Sequence, residues 1–378
     1  MTSPAVVLYT HTAALIGGGN KVLLSVVDGL DRERYRPMSI LPERGPMEGE
    51  LRRRKVLYEI IDLRPTSGRI GMTFAVGRLV KLISKHKIAL VHANDPFTYR
   101  AASLATAITR TPRICHVHHP DQNESSIAWA FSRMPERILT PTRYVKEKVS
   151  EWLGMADADI VRVVGNPIDV GWFAPAANVT ALREKIGMQV VGRHVTITGA
   201  LAPHKGHESF LRAAQRIRQR RPDTVFNIVG SAASGDRAWA ERLRALSREL
   251  SLTESVRFWG FVPDAVARDV LAASDLFVLP TTIEGFGLVI AEALACGVPV
   301  VTSAIRPLEE VVTDGKSGFL VPPRDFELLA GKVLELLESP KKMRAFSIYG
   351  REHVRASFSA DAVVGRITHC YDEMLHRK

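Results

Sequence analysis

Short runs of apolar residues alternate along the chain with longer segments in which apolar residues recur at helical spacing. Parallel strands that are covered on both faces are apolar throughout, and helices join them, so this alternation predicts an α/β fold with parallel sheets. The predicted strands are Val6–Tyr9, Leu57–Leu63, Ala89–His92, Arg113–His118, Arg137–Thr140 and Val161–Val164 in the first half, and Val195–Thr198, Val225–Val229, Val256–Trp259, Leu276–Leu279, Val298–Val301 and Phe319–Val321 in the second.

The alternation pauses once, after Asn166-Pro167-Ile168-Asp169, where a polar stretch extends to Met188. A chain of 378 residues is longer than one ordinary domain. We therefore predict two doubly wound domains, over residues 1–170 and 191–357, with an interdomain linker over 171–190. The terminal helix, about 358–378, has no strand after it, and the pattern leaves open whether it packs on the first domain or stays with the second.

The composition, with 46% hydrophobic and 24% charged residues, is that of a folded soluble protein. A net charge of +11 favours anionic partners such as nucleotides, lipid phosphates or nucleic acid without choosing among them. The three cysteines, Cys115, Cys296 and Cys370, show no CxxC spacing, which indicates a reducing compartment. Without a basic leader or a membrane-length apolar run, the sequence predicts a cytoplasmic protein.

The strongest chemical signal is the segment from Glu284 to Glu292, which follows an apolar strand and opens a helix. Gly285 and Gly287 let a ligand approach the backbone, and a helix N-terminus offers unpaired N–H groups to an anion. The two glutamates are positioned to bind hydroxyls at both ends of a sugar–diphosphate–nucleoside. The alternative is an ordinary strand–loop–helix junction with two surface glutamates.

This segment resembles the family 4 retaining glycosyltransferases of the GT-B fold, in which a Glu–seven residues–Glu pattern recurs. Further matches, in the family's order, are Ala293-Leu294-Ala295-Cys296-Gly297-Val298-Pro299, Gly199-Ala200-Leu201-Ala202-Pro203-His204-Lys205-Gly206, Asn166-Pro167-Ile168-Asp169 with Phe173, Asp314-Gly315, Gly318 and Val321-Pro322-Pro323. The resemblance implies two Rossmann-like domains that face each other across a cleft, the first on the acceptor side and the second binding a nucleotide sugar.

The resemblance also implies a role for Lys205, which follows a strand and precedes a helix, so that its ammonium meets the leaving diphosphate. This chain departs from the family at Ala200, where an arginine is expected, and one positive charge is therefore missing. The sequence names no substitute.

In the first half, Gly17-Gly18-Gly19-Asn20 lies between a strand and a helix. The family uses such a loop to approach the diphosphate and sugar, which makes Gly18 and Gly19 donor-binding candidates. The run lacks the Gly-x-Gly-x-x-Gly fingerprint, so a dinucleotide-dependent dehydrogenase is disfavoured. The resemblance makes His118 the donor-contacting histidine, and His92, Asp95 and His119 are weaker candidates for the acceptor side.

The resemblance also implies the remaining donor contacts. The base is expected near Phe261 and Val262, and the ribose on Glu292. The sugar is expected on Glu284 and on the backbone amides of 285–288, which include Phe286 and Leu288. Gly230 completes this donor-binding set. The acceptor hydroxyl then attacks on the leaving-group face with retention of configuration, and no covalent nucleophile is assigned. The expected donor is a UDP-sugar slightly ahead of a GDP-sugar, and the expected acceptor is a glycan or a lipid-linked hydroxyl.

Asp157-Ala158-Asp159 is formally an Asp-x-Asp metal motif, but it lies in a predicted helix–strand connection, where a solvated loop is the simpler interpretation. We therefore expect no cofactor and no metal requirement. The basic amphipathic segment Met72–Lys87 and the run Arg52-Arg53-Arg54-Lys55 suggest peripheral contact with an anionic membrane. The alternative for Met72–Lys87 is a helix that covers the sheet and has a solvated basic face.

Three other functional classes stay open. A non-catalytic nucleotide- or sugar-binding protein of the same fold is compatible with the loss of charge at Ala200. Nucleic-acid binding would explain the basic charge, but the sequence shows no nucleic-acid module and the charge is spread, so we expect no nucleic-acid partner. A sugar-nucleotide epimerase of similar fold is the remaining alternative.

Overall fold

The computed structural model describes residues 3–64, 68–119, 124–155, 159–232 and 237–376. The chain divides into two compact units. Unit 1 comprises Met1–Pro167 together with Ala360–Lys378, and unit 2 comprises Ile168–Ser359.

Unit 1 is built on a seven-stranded parallel sheet with the strand order β3-β2-β1-β4-β5-β6-β7. Its strands are β1 Ala5–Thr10, β2 Tyr35–Leu41, β3 Leu57–Ile60, β4 Ile88–Ala93, β5 Arg113–His116, β6 Arg137–Thr140 and β7 Val161–Val163. The helices between them are α1 Gly18–Gly29, α2 Pro46–Arg53, α3 Gly68–His86, α4 Pro96–Thr109, α5 Glu124–Ala130 and α6 Arg143–Trp152.

Unit 2 contains a six-stranded parallel sheet with the order β10-β9-β8-β11-β12-β13. Its strands are β8 Arg193–Thr198, β9 Thr224–Val229, β10 Val256–Gly260, β11 Leu276–Leu279, β12 Val300–Ser303 and β13 Gly318–Val321. Its helices are α7 Val179–Lys185, α8 His207–Arg220, α9 Arg237–Glu249, α10 Asp264–Ala272, α11 Leu288–Ala295, α12 Arg306–Glu309, α13 Phe326–Leu337 and α14 Pro340–Phe358, and a 3₁₀ turn spans Pro203–Lys205.

The strand–helix alternation of the sequence is confirmed, because the predicted strands all occur with shifts of a few residues at their ends. One strand was missed. β2 pairs with β1 on one side and β3 on the other, although it contains Pro37, which pairs in register with Val7. Proline normally argues against a central strand because it lacks a backbone donor. The pairing of β2 with a strand on each side therefore outweighs the local preference of Pro37 against a strand.

The terminal helix α15, Ala360–Leu375, belongs to unit 1. Its Tyr371 is fully buried, and the hydroxyl lies 3.1 Å from that of Tyr9 and 2.6 Å from His92 Nδ1. At the same helix Asp372 accepts hydrogen bonds from Tyr35 and from Arg34, the latter at 2.7 Å. Long-range polar contacts thus decide the question that the sequence pattern left open.

The stretch 171–190, which we expected to be an interdomain linker, is part of unit 2. It contains α7, whose Arg183 is buried and donates to the Ala273 carbonyl at 2.9 Å and to Asp275 at 2.8 Å. Because these bonds hold a buried guanidinium against unit 2, this segment is folded onto unit 2 and is not a free connection.

Both basic segments make contacts within unit 1, and peripheral contact with a membrane stays a prediction. The apolar side of α3 faces the core of unit 1, where Leu79 and Ile83 are buried, so the helix covers the sheet instead of offering this side to lipid. In the run 52–55, Arg52 and Arg53 pair with Glu48 and Glu50, and Arg54 pairs with Asp28 and Glu50. These carboxylates neutralise the patch. Among the described residues, no helix is long and apolar enough to span a membrane.

Candidate functional site

The order of strands in unit 2 reverses direction between β8 and β11, and the segments that follow these two strands carry the candidate donor-binding residues. In an open parallel sheet, ligands bind outside the carboxyl ends of the strands at such a switch point. The segment after β8 contains Lys205, and the segment after β11 contains Glu284. Residues almost 80 positions apart in the sequence therefore meet at one edge of the sheet.

Lys205 and Glu284 form an ion pair in which Nζ lies 2.5 Å from Oε1. The two side chains are only 21% and 10% exposed, respectively. A mostly buried ammonium and carboxylate side by side provide a cation for a phosphate and an acceptor for sugar hydroxyls. The structure thus brings together two of the three residues that were predicted to be catalytic.

The segment after β11 holds the Lys205 loop in place. The carbonyl of His204 accepts hydrogen bonds from the Thr281 hydroxyl and the Thr282 N–H, each at 2.8 Å. Gly206 has φ +77°, and a Cβ there would lie 2.0 Å from the Pro280 carbonyl oxygen. Only glycine fits this close approach. The backbone contact between the two loops therefore fixes the position of Lys205. No local pattern pointed to the threonines, because they act through a contact between distant loops.

The helix α11 begins next to Glu284 and has Gly287 at its N-cap, with φ +84°. A Cβ at this glycine would lie 2.7 Å from Leu308. No side chain from the described part of the chain caps this helix end. Its first N–H groups therefore suit an anion, as the sequence predicted for this segment.

The other residues of this segment differ in what they offer. Phe286 is 2% exposed and packs edge-on against Phe358 at 5.0 Å between ring centres. Its side chain belongs to the core, so Phe286 contributes only backbone groups to a ligand. Gly285, Leu288 and Glu292 are in the same turn and helix, with the side chain of Glu292 half-buried.

Gly230 follows β9 with φ +135°, and a Cβ there would lie 1.9 Å from the carbonyl oxygen of Gly199. This glycine lets the segments after β8 and β9 touch through their backbones. Beyond β10, Phe261 is 83% exposed, whereas Val262 packs partly against the core. A large exposed ring near the carboxyl edge is available to stack on a planar ligand.

Ala200 is exposed on the surface of unit 2, in the same loop as Lys205. Its methyl group has no charge. The position at which this chain departs from the family pattern is thus open to solvent.

In unit 1, the glycine loop meets the end of β4 and the end of β5. Gly18 is the first residue of α1, and the carbonyl of Gly19 accepts a hydrogen bond from Asn94 Nδ2 at 3.1 Å. The amide oxygen of Asn94 lies 3.1 Å from His118 Nε2. A Cβ at Gly19 would approach the His118 ring to 3.2 Å. Asn94 thus links two predicted site residues, and the sequence analysis missed it.

His118 is half-buried and stacks on His116 with 4.0 Å between ring centres, and His116 stacks in turn on His92 at 5.7 Å. Burial lowers the pKa of His118 to about 4 and that of His92 to about 3. The pKa of His116 falls for the same reason. At neutral pH the three rings are therefore uncharged.

Two of the weaker candidates for the acceptor side make structural contacts within unit 1. His92 is 1% exposed and bonds to Tyr371 in the core of unit 1. Asp95 is the N-cap of α4, where its carboxylate accepts from the N–H groups of Thr98 at 2.8 Å and Thr12 at 2.9 Å. Both residues have structural roles at the carboxyl edge. His119 is half-buried, and its predicted acceptor role stays a prediction.

The described residues contain no group of three or more His, Cys, Asp or Glu side chains that could hold a metal ion. Of the Asp-x-Asp motif, Asp157 and Ala158 lie outside the described residues. Asp159 forms an ion pair with Arg162 at 2.7 Å.

Two family models match the sequence and together extend over most of it. "Glycosyl transferases group 1" matches residues 178–353, and "Glycosyltransferase Family 4" matches residues 16–172. The chain belongs to the group 1 glycosyltransferases.

Among curated relatives, the chain is 31% identical over 258 residues to a D-inositol 3-phosphate glycosyltransferase of Thermobispora bispora, covering 67% of this chain and 59% of that protein. It is 32% identical over 210 residues to a GDP-mannose-dependent monoacylated alpha-(1-6)-phosphatidylinositol monomannoside mannosyltransferase of Corynebacterium glutamicum, covering 53% of each. The matched region spans about half the length of these relatives.

Solved structures share the fold along the whole chain. Anabaena Alr3699/HepE in complex with UDP superposes with a TM-score of 0.87 at 21% identity, covering 98% of this chain and 100% of that one. A glycosyltransferase from Rickettsia africae gives a TM-score of 0.88 at 20% identity, with full coverage of both chains. The fold is GT-B, and at these identities the likeness extends to the fold alone.

Proposed function

We propose that this protein transfers a sugar from a nucleoside diphosphate sugar to a hydroxyl group of a glycan or lipid-linked acceptor, with retention of the anomeric configuration. The observation that carries the proposal is the Lys205–Glu284 pair at the switch point of unit 2, beside the N-terminus of α11. The donor would be held at this edge, since phosphate charge requires a cation and aligned N–H groups.

In this proposal Lys205 and the N–H groups of α11 stabilise the negative charge that develops on the leaving diphosphate, which is the main electrostatic demand of the step. Glu284 and Glu292 bind hydroxyls of the sugar and ribose, and Phe261 stacks on the base. His118 contacts the sugar as a neutral ring, which suits a hydrogen-bonding role more than a charged one. The reaction needs no metal in this scheme.

The names of relatives and neighbours support different donor nucleotides. One relative is named as GDP-mannose-dependent, whereas HepE was solved with UDP and glucose. We keep UDP slightly ahead of GDP. Two relatives act, by name, on an inositol phosphate and on a phosphatidylinositol mannoside, which supports a phosphate-bearing or lipid-linked acceptor. The three free, buried cysteines are in keeping with a cytoplasmic site of action.

The test is thermal stabilisation of the full chain by UDP, GDP, ADP and CMP, each without metal and then with Mg²⁺. One diphosphate is expected to raise the melting temperature, and Lys205→Ala or Glu292→Ala to abolish the shift, while the exposed Lys341→Ala serves as a control. An unaltered melting temperature with all four nucleotides would overturn the assignment of the donor site. A shift that appears only with Mg²⁺ would overturn metal independence.

A second candidate is a sugar-nucleotide-binding protein without turnover, which the exposed Ala200 favours because one diphosphate-neutralising charge is missing. Release of free nucleotide from the donor, with and without an acceptor, separates the two functions. Binding without release identifies the non-catalytic protein. The Ala200→Arg variant is then expected to bind the diphosphate more tightly.

A further inference from the structure

A cavity of about 630 Å³ lies at the amino edge of the sheet in unit 2, where the strands β8, β9 and β10 begin. Residues at the start of each strand line it, among them His194, together with the last turns of α9 and the segment 187–189. Lys205 and Glu284 follow the carboxyl ends of β8 and β11, so the length of the strands, about 20 Å, separates the cavity from the candidate donor site. Its volume is that of an ordinary small-molecule pocket.

The charge on the walls of this cavity is mostly positive. Arg244 and Arg248 come from α9 and Arg257 from β10, and Glu254 is the one acid among the lining residues. In the part of the chain that the structure describes, none of these four side chains forms an ion pair. By contrast, three arginines of the neighbouring helix α8 each pair with a glutamate: Arg212, Arg216 and Arg220. The cavity therefore carries a positive charge that the protein itself does not neutralise.

Aromatic rings, and not carboxylates, position two of these arginines. The guanidinium carbon of Arg244 lies 4.7 Å from the centre of the Phe258 ring, and that of Arg257 lies 3.6 Å from the centre of the Trp259 ring. Arg257 also donates a hydrogen bond to the carbonyl of Gly187. Stacking occupies the flat face of a guanidinium and leaves N–H groups at its edge for an anion.

A buried polar network holds the ring on which Arg257 lies. Trp259 Nε1 donates to Asn227 Oδ1 at 3.1 Å, and Asn227 Nδ2 lies 3.2 Å from His194 Nδ1. His194 Nε2 lies 2.9 Å from the carbonyl oxygen of Gln189. Asn227 and His194 are 1% and 0% exposed, and both line the cavity. The floor is thus built from polar groups with fixed partners, and it holds Arg257 in place before any ligand binds.

The strand β10 is the last of its sheet, so one side of it has no neighbouring strand. Phe258 and Trp259 are adjacent residues of β10, and their rings therefore point to opposite faces of the sheet. The stacked arginines flank the edge of β10 from these two faces. The segment 187–189 and the end of α9 form the other walls. The enclosed space thus fits a compact ligand better than an added strand of a partner protein.

We propose that this cavity binds a sugar phosphate, with the phosphate held by Arg244 and Arg257 and the hydroxyl groups by Glu254 and the polar floor. The fork of an arginine matches two phosphate oxygens, and the unpaired N–H groups of an edge strand are further donors. Arg248 adds a third cation. This ligand is distinct from the donor of the proposed transfer reaction, because the cavity lies at the opposite end of the sheet from Lys205.

The test is isothermal titration of the full chain with glucose 6-phosphate, with inorganic phosphate and with glucose. We expect glucose 6-phosphate to bind several-fold more tightly than inorganic phosphate, and glucose not to bind. Arg244→Gln/Arg257→Gln is expected to weaken the binding of both phosphates at least about ten-fold, since hydrogen bonds to charged groups contribute that much. Equal affinities for the two phosphates would overturn the assignment of the sugar.

The matched control is Arg351→Gln/Arg355→Gln, which removes two exposed arginines of α14 in the same unit. It is expected to bind glucose 6-phosphate as the parent does. Arg244→Lys/Arg257→Lys keeps the charge but loses the planar fork, so an intermediate affinity is expected. A cooperative melting transition without ligand shows that each variant is folded. If the glutamine pair is not, the exposed Arg248→Gln replaces it, with a loss of a few-fold expected.

Lys205→Ala separates this site from the donor site. It is expected to bind glucose 6-phosphate with the affinity of the parent, whereas its stabilisation by a nucleoside diphosphate is lost. If nucleotides leave the parent unaltered while glucose 6-phosphate binds, only the donor site is wrong. No binding of either phosphate by the parent, an unaltered affinity in Arg244→Gln/Arg257→Gln, equal weakening in the control, or loss of binding in Lys205→Ala would each overturn the proposal.

Discussion

Unit 1 and unit 2 place ionisable side chains differently at the carboxyl edges of their sheets. In unit 2, Lys205 and Glu284 pair at the rim and keep part of their surface accessible. In unit 1, His92 and His116 lie inside the core, and of the stacked histidines only His118 reaches the surface. The same residue pattern, polar groups at strand ends, therefore gives a partly accessible edge in one unit and mainly a packed core in the other.

The difference follows from what covers each edge. The terminal helix α15 packs on unit 1 and its Tyr371 supplies the hydroxyl that bonds His92. At the Lys205 loop, unit 2 instead uses close backbone contacts at Gly206 and Gly230, which hold the loops without covering the side chains. A polar group at a strand end is thus accessible or buried according to its neighbours, which lie far away in the sequence.

The largest expected effect tests the backbone contact of unit 2. Gly206→Ala combines a positive φ with a Cβ 2.0 Å from a carbonyl oxygen, so the loop must move, and we expect a loss of about 4 kcal/mol in the free energy of unfolding. Gly315→Ala is the matched control, since φ is +70° there but no atom lies within 4 Å. It is expected to cost about 1 kcal/mol. Equal losses in urea unfolding would show that the close contact is unimportant.

Lys205→Ala tests the accessible edge by activity. We expect nucleotide release from the donor to slow by about two to three orders of magnitude, the range seen when one group that stabilises developing negative charge is removed. The melting temperature without ligand should also fall, because the largely buried carboxylate of Glu284 loses its paired cation. Activity within a few-fold of the parent protein would show that another cation meets the diphosphate.

The buried histidines of unit 1 predict a dependence of stability on pH. Since the pKa of His118 in the folded state is about 4, and that of His92 about 3, the unfolded chain binds more protons than the folded one below about pH 6.5. Stability is therefore full above that pH and is lost as the pH falls. Each such histidine is expected to cost about 2 kcal/mol between pH 7 and pH 5.

Urea unfolding at the two pH values measures this loss. His116→Asn is expected to make the dependence shallower, whereas His369→Asn, at a side chain that is 74% exposed, leaves it unaltered. A free energy of unfolding that is the same at pH 7 and pH 5 would contradict the burial of neutral histidines.

Tyr371→Phe sharpens the comparison at the contact with α15. Loss of the hydroxyl leaves His92 Nδ1 and the Tyr9 hydroxyl without this partner in the core, and we expect about 1 to 3 kcal/mol of destabilisation. Nucleotide stabilisation by unit 2 is expected to persist. Tyr349→Phe, at a half-buried ring of α14, is the control and should be nearly neutral. If the substitution weakened only nucleotide binding, the assignment of Tyr371 to unit 1 would be wrong.

The smallest effect is expected at Phe261, whose ring is 83% exposed. Phe261→Ser should change the free energy of unfolding by less than about 0.5 kcal/mol, as surface substitutions do. Stacking on a base would be lost, so the affinity for the nucleotide should fall by about ten-fold. Isothermal titration measures this, and an unaltered affinity would remove Phe261 from the site.

By itself the sequence determined the α/β architecture, the positions of nearly all strands and the candidate loop around Lys205 and Glu284, because these depend on local periodicity and on short motifs. Its first-half motifs were less informative, since the same histidines suit a site or a core. The missed β2 shows the same limit: Pro37 argues locally against a strand that two neighbouring strands impose.

Tertiary structure alone decided three matters. It assigned α15 to unit 1, through Tyr371 and Asp372, and folded the stretch 171–190 onto unit 2 through Arg183. It also turned the apolar side of α3 toward the core while leaving Ile70 and Phe74 exposed. The physical reason is common to all three: burial and hydrogen bonding are set by residues far apart in the chain, and a local pattern does not contain them.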